Sequence, residues 1–342
     1  MADAGRAARD GGIASLAIGG GTPVRESVLA YARQTIDEAD IRAVTEALQS
    51  DLLTTGPGVE AFERAFASAT GAEHAVAVCS GTAALHCAAF AAGIGKGDEV
   101  IVPSMTFVAS ANCVRYLGGT VVFADVRADT LCVDAGQVET LLTSRTKAIV
   151  TVDYAGQPSD LDELLGLARE RDLVLIEDAA HALGATYQGR PVGSIADLTV
   201  FSLHPVKHMT TGEGGVVTTN DSESASRMRM FRNHCISRDA HVRAASATWE
   251  YDVADLGFNY RITDFQCALG QSQLGKLTGW IDRRREIASI YDRAFALLPE
   301  VTPLTELSDR VSARHLYVVL LELDRIDADR EQIFQALRAE NI

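Results

Sequence analysis

The chain has 342 residues, 47% hydrophobic and 23% charged, a length that suggests about two domains and the composition of an ordinary globular protein. Its 31 basic residues stand against 46 acidic ones for a net charge of −15, which disfavours nonspecific binding to nucleic acid or anionic membrane and leaves room only for a local basic pocket. The 6 cysteines are scattered without a C-x-x-C pair, and no run approaches the roughly 20 apolar residues of a membrane span. These features point to reduced core thiols in a cytoplasmic protein.

Residues 1–30 read as a flexible leader, rich in Ala and Gly at first, whose apolar stretch at 13–18 is too short and broken for a signal peptide. The segment 37–50 carries Ile41, Val44 and Leu48 at helical spacing, and Gly56-Pro57-Gly58 breaks the chain before a second amphipathic helix at 59–68. Alternation then begins. Strand-like runs at 75–79, 99–102, 120–124, 148–152, 173–176, 198–203 and 215–218 are mostly separated by helical segments at 82–92, 108–117, 135–142 and 160–171. That pattern predicts an α/β fold: a mostly parallel seven-stranded sheet with helices on both faces, occupying residues 31–271. From about residue 272 it gives way to a charged helix at 277–298, a strand at 317–322 and a helix at 330–340. Residues 272–342 are therefore expected to form a smaller α+β domain, left incomplete by truncation.

In a parallel sheet, ligands bind beyond the carboxyl ends of the strands. Three features fall there. Ser80-Gly81-Thr82-Ala83 follows the first strand, Asp178 the fifth and Lys207 the sixth. A lysine and an acid so placed suit pyridoxal phosphate: the amine forms a Schiff base, and the carboxylate keeps the pyridine nitrogen protonated. Pro205 stops a helix from forming around Lys207, and burial would lower its amine pKa. Asp178 could equally cap the helix predicted after it. His181 is placed either to hydrogen-bond the ring oxygen or to sit as a core histidine. The N–H groups of Gly81, Thr82 and Ala83, with the Thr82 hydroxyl, form a candidate phosphate cradle, to which Ser202 can add a hydroxyl. Phe107 is placed to stack on the ring or to pack in the core. His204 and His208 have i, i+4 spacing, but Pro205 lies between them and no carboxylate stands in register, so no metal site is assigned.

Taken together, Leu53-Thr54-Thr55-Gly56-Pro57, Ser80-Gly81-Thr82-Ala83-Ala84-Leu85, Ile176-Glu177-Asp178-Ala179-Ala180-His181, Lys207 with Gly212-Glu213-Gly214-Gly215, and Gly257-Phe258-Asn259-Tyr260-Arg261 resemble the DegT/StrS-type aminotransferases. The resemblance runs from about Tyr31 to the end. It implies a fold-type-I enzyme dependent on pyridoxal phosphate, with Lys207 as the Schiff-base lysine and Asp178 as the ring-nitrogen partner. It further implies His181 at the ring oxygen, Phe107 stacked on the ring, and Gly81, Thr82, Ala83 and Ser202 at the phosphate. Asn259 would reach the phosphate of a neighbouring subunit, so the resemblance implies a homodimer with shared active sites. Residues 153–158, 204–207 and 260–264 look most like members of the pseudaminic-acid branch, which aminate C4 of UDP-4-keto-6-deoxy-N-acetyl-altrosamine with L-glutamate as donor. His208 departs from many such relatives. A GDP- or dTDP-linked keto sugar, a sugar dehydratase of the same fold and a non-catalytic cofactor-binding protein are the alternatives.

Overall fold

The computed structural model describes residues 15–237 and 249–342; the first fourteen residues of the expected leader lie outside that range. Its larger compact unit comprises Gln34–Ile290 with Leu304–Val318, and a smaller one gathers the residues up to Arg33 with Tyr291–Pro303 and Val319–Ile342. The junction expected near residue 272 thus falls inside the larger unit. The reason is burial: Leu277, Ile281 and Ala313 belong to the same core cluster as the sheet residues Ala75, Ala77 and Phe201.

The larger unit is built on seven strands: β1 (His74–Val78), β2 (Glu99–Pro103), β3 (Thr120–Ala124), β4 (Thr146–Val152), β5 (Val174–Asp178), β6 (Leu198–Ser202) and β7 (Gly215–Thr219). They lie in the spatial order β1-β7-β6-β5-β4-β2-β3. Six run the same way. β7 is antiparallel to both of its neighbours: residues 203–214, which join it to β6, carry no helix to make the crossover that a parallel return uses.

Successive strand residues face opposite sides, and here both sides are covered. Val76, Val100, Val102, Val150, Ile176 and Val200 pack on one face with α3 (Gly81–Ala91), α4 (Ala109–Tyr116) and α7 (Ser222–Phe231). On the other face, Ile101, Ile149 and Leu175 meet Leu161, Leu164 and Leu165 of α6 (Leu161–Glu170). Further along that face, Ala75, Ala77 and Phe201 meet Phe62 and Phe66 of α2 (Pro57–Thr70). Double coverage is why the strands read as apolar runs rather than as alternating ones.

Helix caps fix the approach to the site. The Asp264 carboxylate, in the first turn of α8 (Asp264–Leu274), accepts the N–H groups of Gly56 (2.8 Å) and Gly58 (2.9 Å) and so anchors the start of α2. At the start of α1 (Glu38–Leu48), Asp37 and Asp40 form a capping box, and Lys276 bridges both carboxylates at 2.6 and 2.8 Å. The long helix α9 spans Leu277–Phe295, and α5 is Ala135–Leu141.

In the smaller unit, Val301–Pro303 pairs antiparallel with Val319–Leu321, and α10 is Arg330–Ala339. The Glu340 carboxylate at its end accepts the N–H groups of Ala17 and Val24, and Leu29 donates to the Asn341 carbonyl. These bonds tie residues 17–29 to the C-terminal helix, where the sequence alone suggests a free leader. Among the described residues, no helix is long and apolar enough to cross a membrane.

Candidate active site

The carboxyl ends of β1, β5 and β6 converge. Gly215, the first residue of β7, pairs with Val78 on one side and Ser202 on the other. The chain leaving β1 therefore enters α3 directly beside the end of β6. Ser80 caps that helix, its Oγ accepting the Ala83 N–H at 3.1 Å. A Cβ added to Gly81 would lie 3.0 Å from Ser202 Cβ and 3.2 Å from Ser202 Oγ, so glycine is what allows cradle and hydroxyl to meet. The Gly81 and Thr82 N–H groups make no hydrogen bond among the described residues, whereas that of Ala83 already has its acceptor in Ser80. Unfilled N–H groups at a helix start form an anion site.

Asp178 ends β5 and is buried, 5% exposed. Its Oδ2 accepts the Ser110 hydroxyl at 2.7 Å, and its Oδ1 accepts the Ala180 N–H at 3.2 Å. Burial pushes its carboxyl above the usual range, opposed by these two donors and by the charge of Lys207. Burial also pulls the Lys207 amine below its ordinary value, opposed by Asp178. The two side chains are thus close enough for their charges to interact. A cation placed against Asp178 would restore its ionised form, and a lysine with a lowered pKa has the neutral amine a nucleophile needs.

His181 follows on the turn after β5. Burial, with the Lys207 charge, lowers its pKa to about 3, so the ring is neutral near pH 7. Its Nδ1 is buried without a partner. Its ring lies 4.3 Å from that of His315, which in turn lies 5.4 Å from His208 (centroid distances). The segment carrying His315 reaches this place through the turn after β4: Ala313 and Leu316 donate to the carbonyls of Gly156 and Ala155. Gly156 has φ of +105°, and a Cβ there would lie 2.8 Å from both the Arg314 nitrogen and the His181 carbonyl oxygen. Only glycine fits.

Phe107 lies in the loop between β2 and α4 and is 74% exposed, so core packing is not its role. The loop is joined to the site by Ser110, whose N–H donates to the Phe107 carbonyl. Asn259 is exposed and lies on a segment paired with α7's exit: Asn259 bridges Asn233, Phe258 donates to Phe231, Tyr260 to Arg232, and Cys79 to Tyr260. The two histidines of the i, i+4 pair part company. His204 is exposed, 3.9 Å from Glu213, while His208 is buried with Nε2 against the Ala313 carbonyl at 3.1 Å.

Lys207, Asp178 and His181 are therefore gathered in one place and Gly81, Thr82 and Ser202 in an adjoining cradle, with Phe107 exposed nearby in sequence to Ser110. Ser110 and His315 are additions that the sequence does not announce. A lowered amine, a buried carboxylate awaiting a cation, a neutral histidine with an unfilled nitrogen and an open helix start fit a phosphorylated pyridine aldehyde. Lys207, Asp178, His181, Ser202 and the Gly81–Thr82 turn would hold it.

The chain is similar to several known proteins along most of its length. SpsC, a spore coat polysaccharide biosynthesis protein of Bacillus subtilis, is 42% identical over 318 residues, covering 92% of this chain and 82% of that one. Helicobacter pylori PseC, an aminotransferase involved in the biosynthesis of pseudoaminic acid, superposes with a TM-score of 0.85 at 35% identity, over 92% of this chain and 83% of its own. Spr1654 of Streptococcus pneumoniae, solved in its PLP form, gives a TM-score of 0.84 at 34% identity, over 92% and 83% of the two chains. The model of the DegT/DnrJ/EryC1/StrS aminotransferase family matches residues 34–342.

Proposed function

Because the chain belongs to the DegT/DnrJ/EryC1/StrS aminotransferase family, whose members use pyridoxal phosphate, we propose that it moves the amino group of L-glutamate to C4 of a nucleotide-linked 4-keto-6-deoxy sugar. The sugar we assign is UDP-4-keto-6-deoxy-N-acetyl-altrosamine, the substrate of the pseudaminic-acid branch. The observation that carries the reading is the pairing of a lowered Lys207 amine with buried Asp178 beside the Gly81–Ser202 cradle. The likeness to PseC supports the choice of sugar.

When bound, the cofactor supplies an electron sink for the pair left behind by a departing proton. The chain supplies the rest. Lys207 would anchor the cofactor and, once freed, take the proton from the Cα of glutamate; Asp178 would hold the ring nitrogen in its protonated state. His181, neutral near pH 7, donates to the ring oxygen from one nitrogen. Gly81, Thr82, Ala83 and Ser202 hold the phosphate, with the first two offering unfilled N–H groups. Phe107 covers one face of the ring. Water would supply the keto oxygen with which glutamate leaves as 2-oxoglutarate; the keto sugar, losing its own oxygen as water, would then receive the nitrogen, with Lys207 returning the proton. Asn259, exposed in a single chain, completes the phosphate site of a second subunit in a homodimer. The 6 unpaired cysteines support a reducing compartment, the cytosol.

The test is an assay of the purified, cofactor-loaded protein with glutamate against UDP-, GDP- and dTDP-linked 4-keto sugars, with products identified by mass. Amination of the UDP-linked altrosamine precursor is expected. Amination of only GDP- or dTDP-sugars would overturn the sugar and leave the reaction class; turnover by Lys207→Ala would overturn the mechanism.

A further inference from the structure

Directly behind Asp178 lies a second acidic feature that the reaction does not use. Glu177 precedes Asp178 on β5 and so faces the opposite side of the sheet, while Asp153 follows the last residue of β4. Both side chains have 0% exposure. The strand ends are in register, Val152 opposite Asp178, and the Asp153 N–H donates to the Asp178 carbonyl at 3.1 Å.

Each carboxyl group has one oxygen satisfied. Asp153 Oδ1 accepts the Ser159 N–H at 2.9 Å, and Glu177 Oε2 accepts the Thr199 hydroxyl at 2.7 Å. The other two, Asp153 Oδ2 and Glu177 Oε1, are buried without a partner, although the two side chains lie within hydrogen-bonding reach of each other. The nearby hydroxyls are already committed: Thr151 donates to Ser159 Oγ, and Ser159 Oγ to the Val152 carbonyl. Two ionised carboxylates in contact at zero exposure would carry a desolvation cost and a like-charge repulsion that nothing here offsets. One proton between the two orphan oxygens removes the repulsion, leaves one buried charge in place of two, and satisfies both atoms at once.

We propose that Asp153 and Glu177 share a single proton, forming a pair of net charge −1 that ties the end of β4 to the end of β5 and positions Asp178. Both are positioning residues. They act through the backbone on either side of Asp178 and touch no substrate. The pairing stands on the strand register and the two unpartnered buried oxygens, whereas its consequence for catalysis rests on the cofactor role proposed for Asp178.

Infrared spectroscopy of the cofactor-free protein at pH 7 tests the pairing. Asp178→Asn removes the neighbouring carboxyl that burial also favours in its neutral form. That variant is expected to show the carbonyl stretch of a protonated carboxyl group, shifted in D2O. The same band should vanish when Asp153→Asn is added to it, because the asparagine amide then donates to Glu177 where the proton stood. Absence of the band in Asp178→Asn, as two carboxylates bridged by water or a cation would give, overturns the pairing; so does its survival in the double variant. For the positioning role, cofactor affinity should stay within about threefold in Asp153→Asn and fall about tenfold or more in Asp153→Ala, which strands Glu177. The visible spectrum of bound cofactor, which reports ring protonation, should change only in the alanine variant. An alanine variant with wild-type affinity and spectrum overturns positioning. Asp178→Asn kinetics judge the role of Asp178 separately.

Discussion

Replacing Asp178 with asparagine preserves the outline of the side chain and deletes its charge, and the two consequences differ in size. In the cofactor-free protein the change is mild. Asparagine Oδ1 can keep the Ala180 N–H, and its amide can donate to Ser110 Oγ, whose hydroxyl then turns to the Phe107 carbonyl 3.2 Å away. No buried group is orphaned, so the unfolding free energy should move by about 1 kcal/mol or less. Catalysis meets the opposite situation. Stripping one partner from a buried ion pair costs about 3–5 kcal/mol, and at 1.36 kcal/mol per decade that is about a 10²- to 10⁴-fold loss in rate. The assay is single-turnover formation of 2-oxoglutarate at saturating cofactor, beside urea unfolding of the cofactor-free variant. A rate within tenfold of wild type would refute the ion-pair role. A stability loss above about 3 kcal/mol would instead assign Asp178 to the scaffold.

Other outcomes follow from the same geometry. Gly81→Ala places a methyl 3.0 Å from Ser202 Cβ, forcing cradle and hydroxyl apart; cofactor affinity measured by titration should fall about tenfold, with stability changed by about 1 kcal/mol or less. His208 is held neutral by burial and by the Arg284 charge, its pKa lowered to about 3. Below pH 6.5 the unfolded chain therefore takes up a proton that the folded chain refuses, and its stabilising contribution is lost as pH falls. The stability gap between wild type and His208→Asn should accordingly narrow by about 1.4 kcal/mol per pH unit from pH 6.5 towards 3 in denaturant titrations; a constant gap would contradict this. Mixing Lys207→Ala with Asn259→Ala after co-refolding should restore activity to about a quarter of wild type, since half the dimers then carry one intact site. No recovery would argue against sites shared between subunits.

Periodicity and strand-end chemistry made much of this legible. The seven apolar runs correspond to the seven sheet strands, and 198–203 and 215–218 differ from Leu198–Ser202 and Gly215–Thr219 by one residue each. The reversal of β7 was also available in principle, since Pro205 and the glycines at Gly212 and Gly214 leave no helical crossover between the two runs. What stayed hidden depends on contacts between residues far apart in the chain. Ser110 meets Asp178 across 68 positions, and His315 reaches His181 only because Gly156 admits the returning segment. Neither Ser110 nor His315 carries a local pattern that marks it. The Asp153–Glu177 pair likewise exists because parallel register brings two strand ends together. Asp178 was visible since an acid at the end of an apolar run is unusual; Glu177 beside it gave no sign of facing the other way into another acid.

The central claim is that Lys207 is the covalent anchor, and the other three lysines, Lys96, Lys147 and Lys276, provide the internal control. The most direct measurement is hydride reduction of the cofactor-loaded protein followed by peptide mass spectrometry. The mass of reduced cofactor should appear on the peptide containing Lys207 and on no other. Label on Lys96, Lys147 or Lys276 in its place, or none on Lys207 in a protein that still transaminates, would contradict the account.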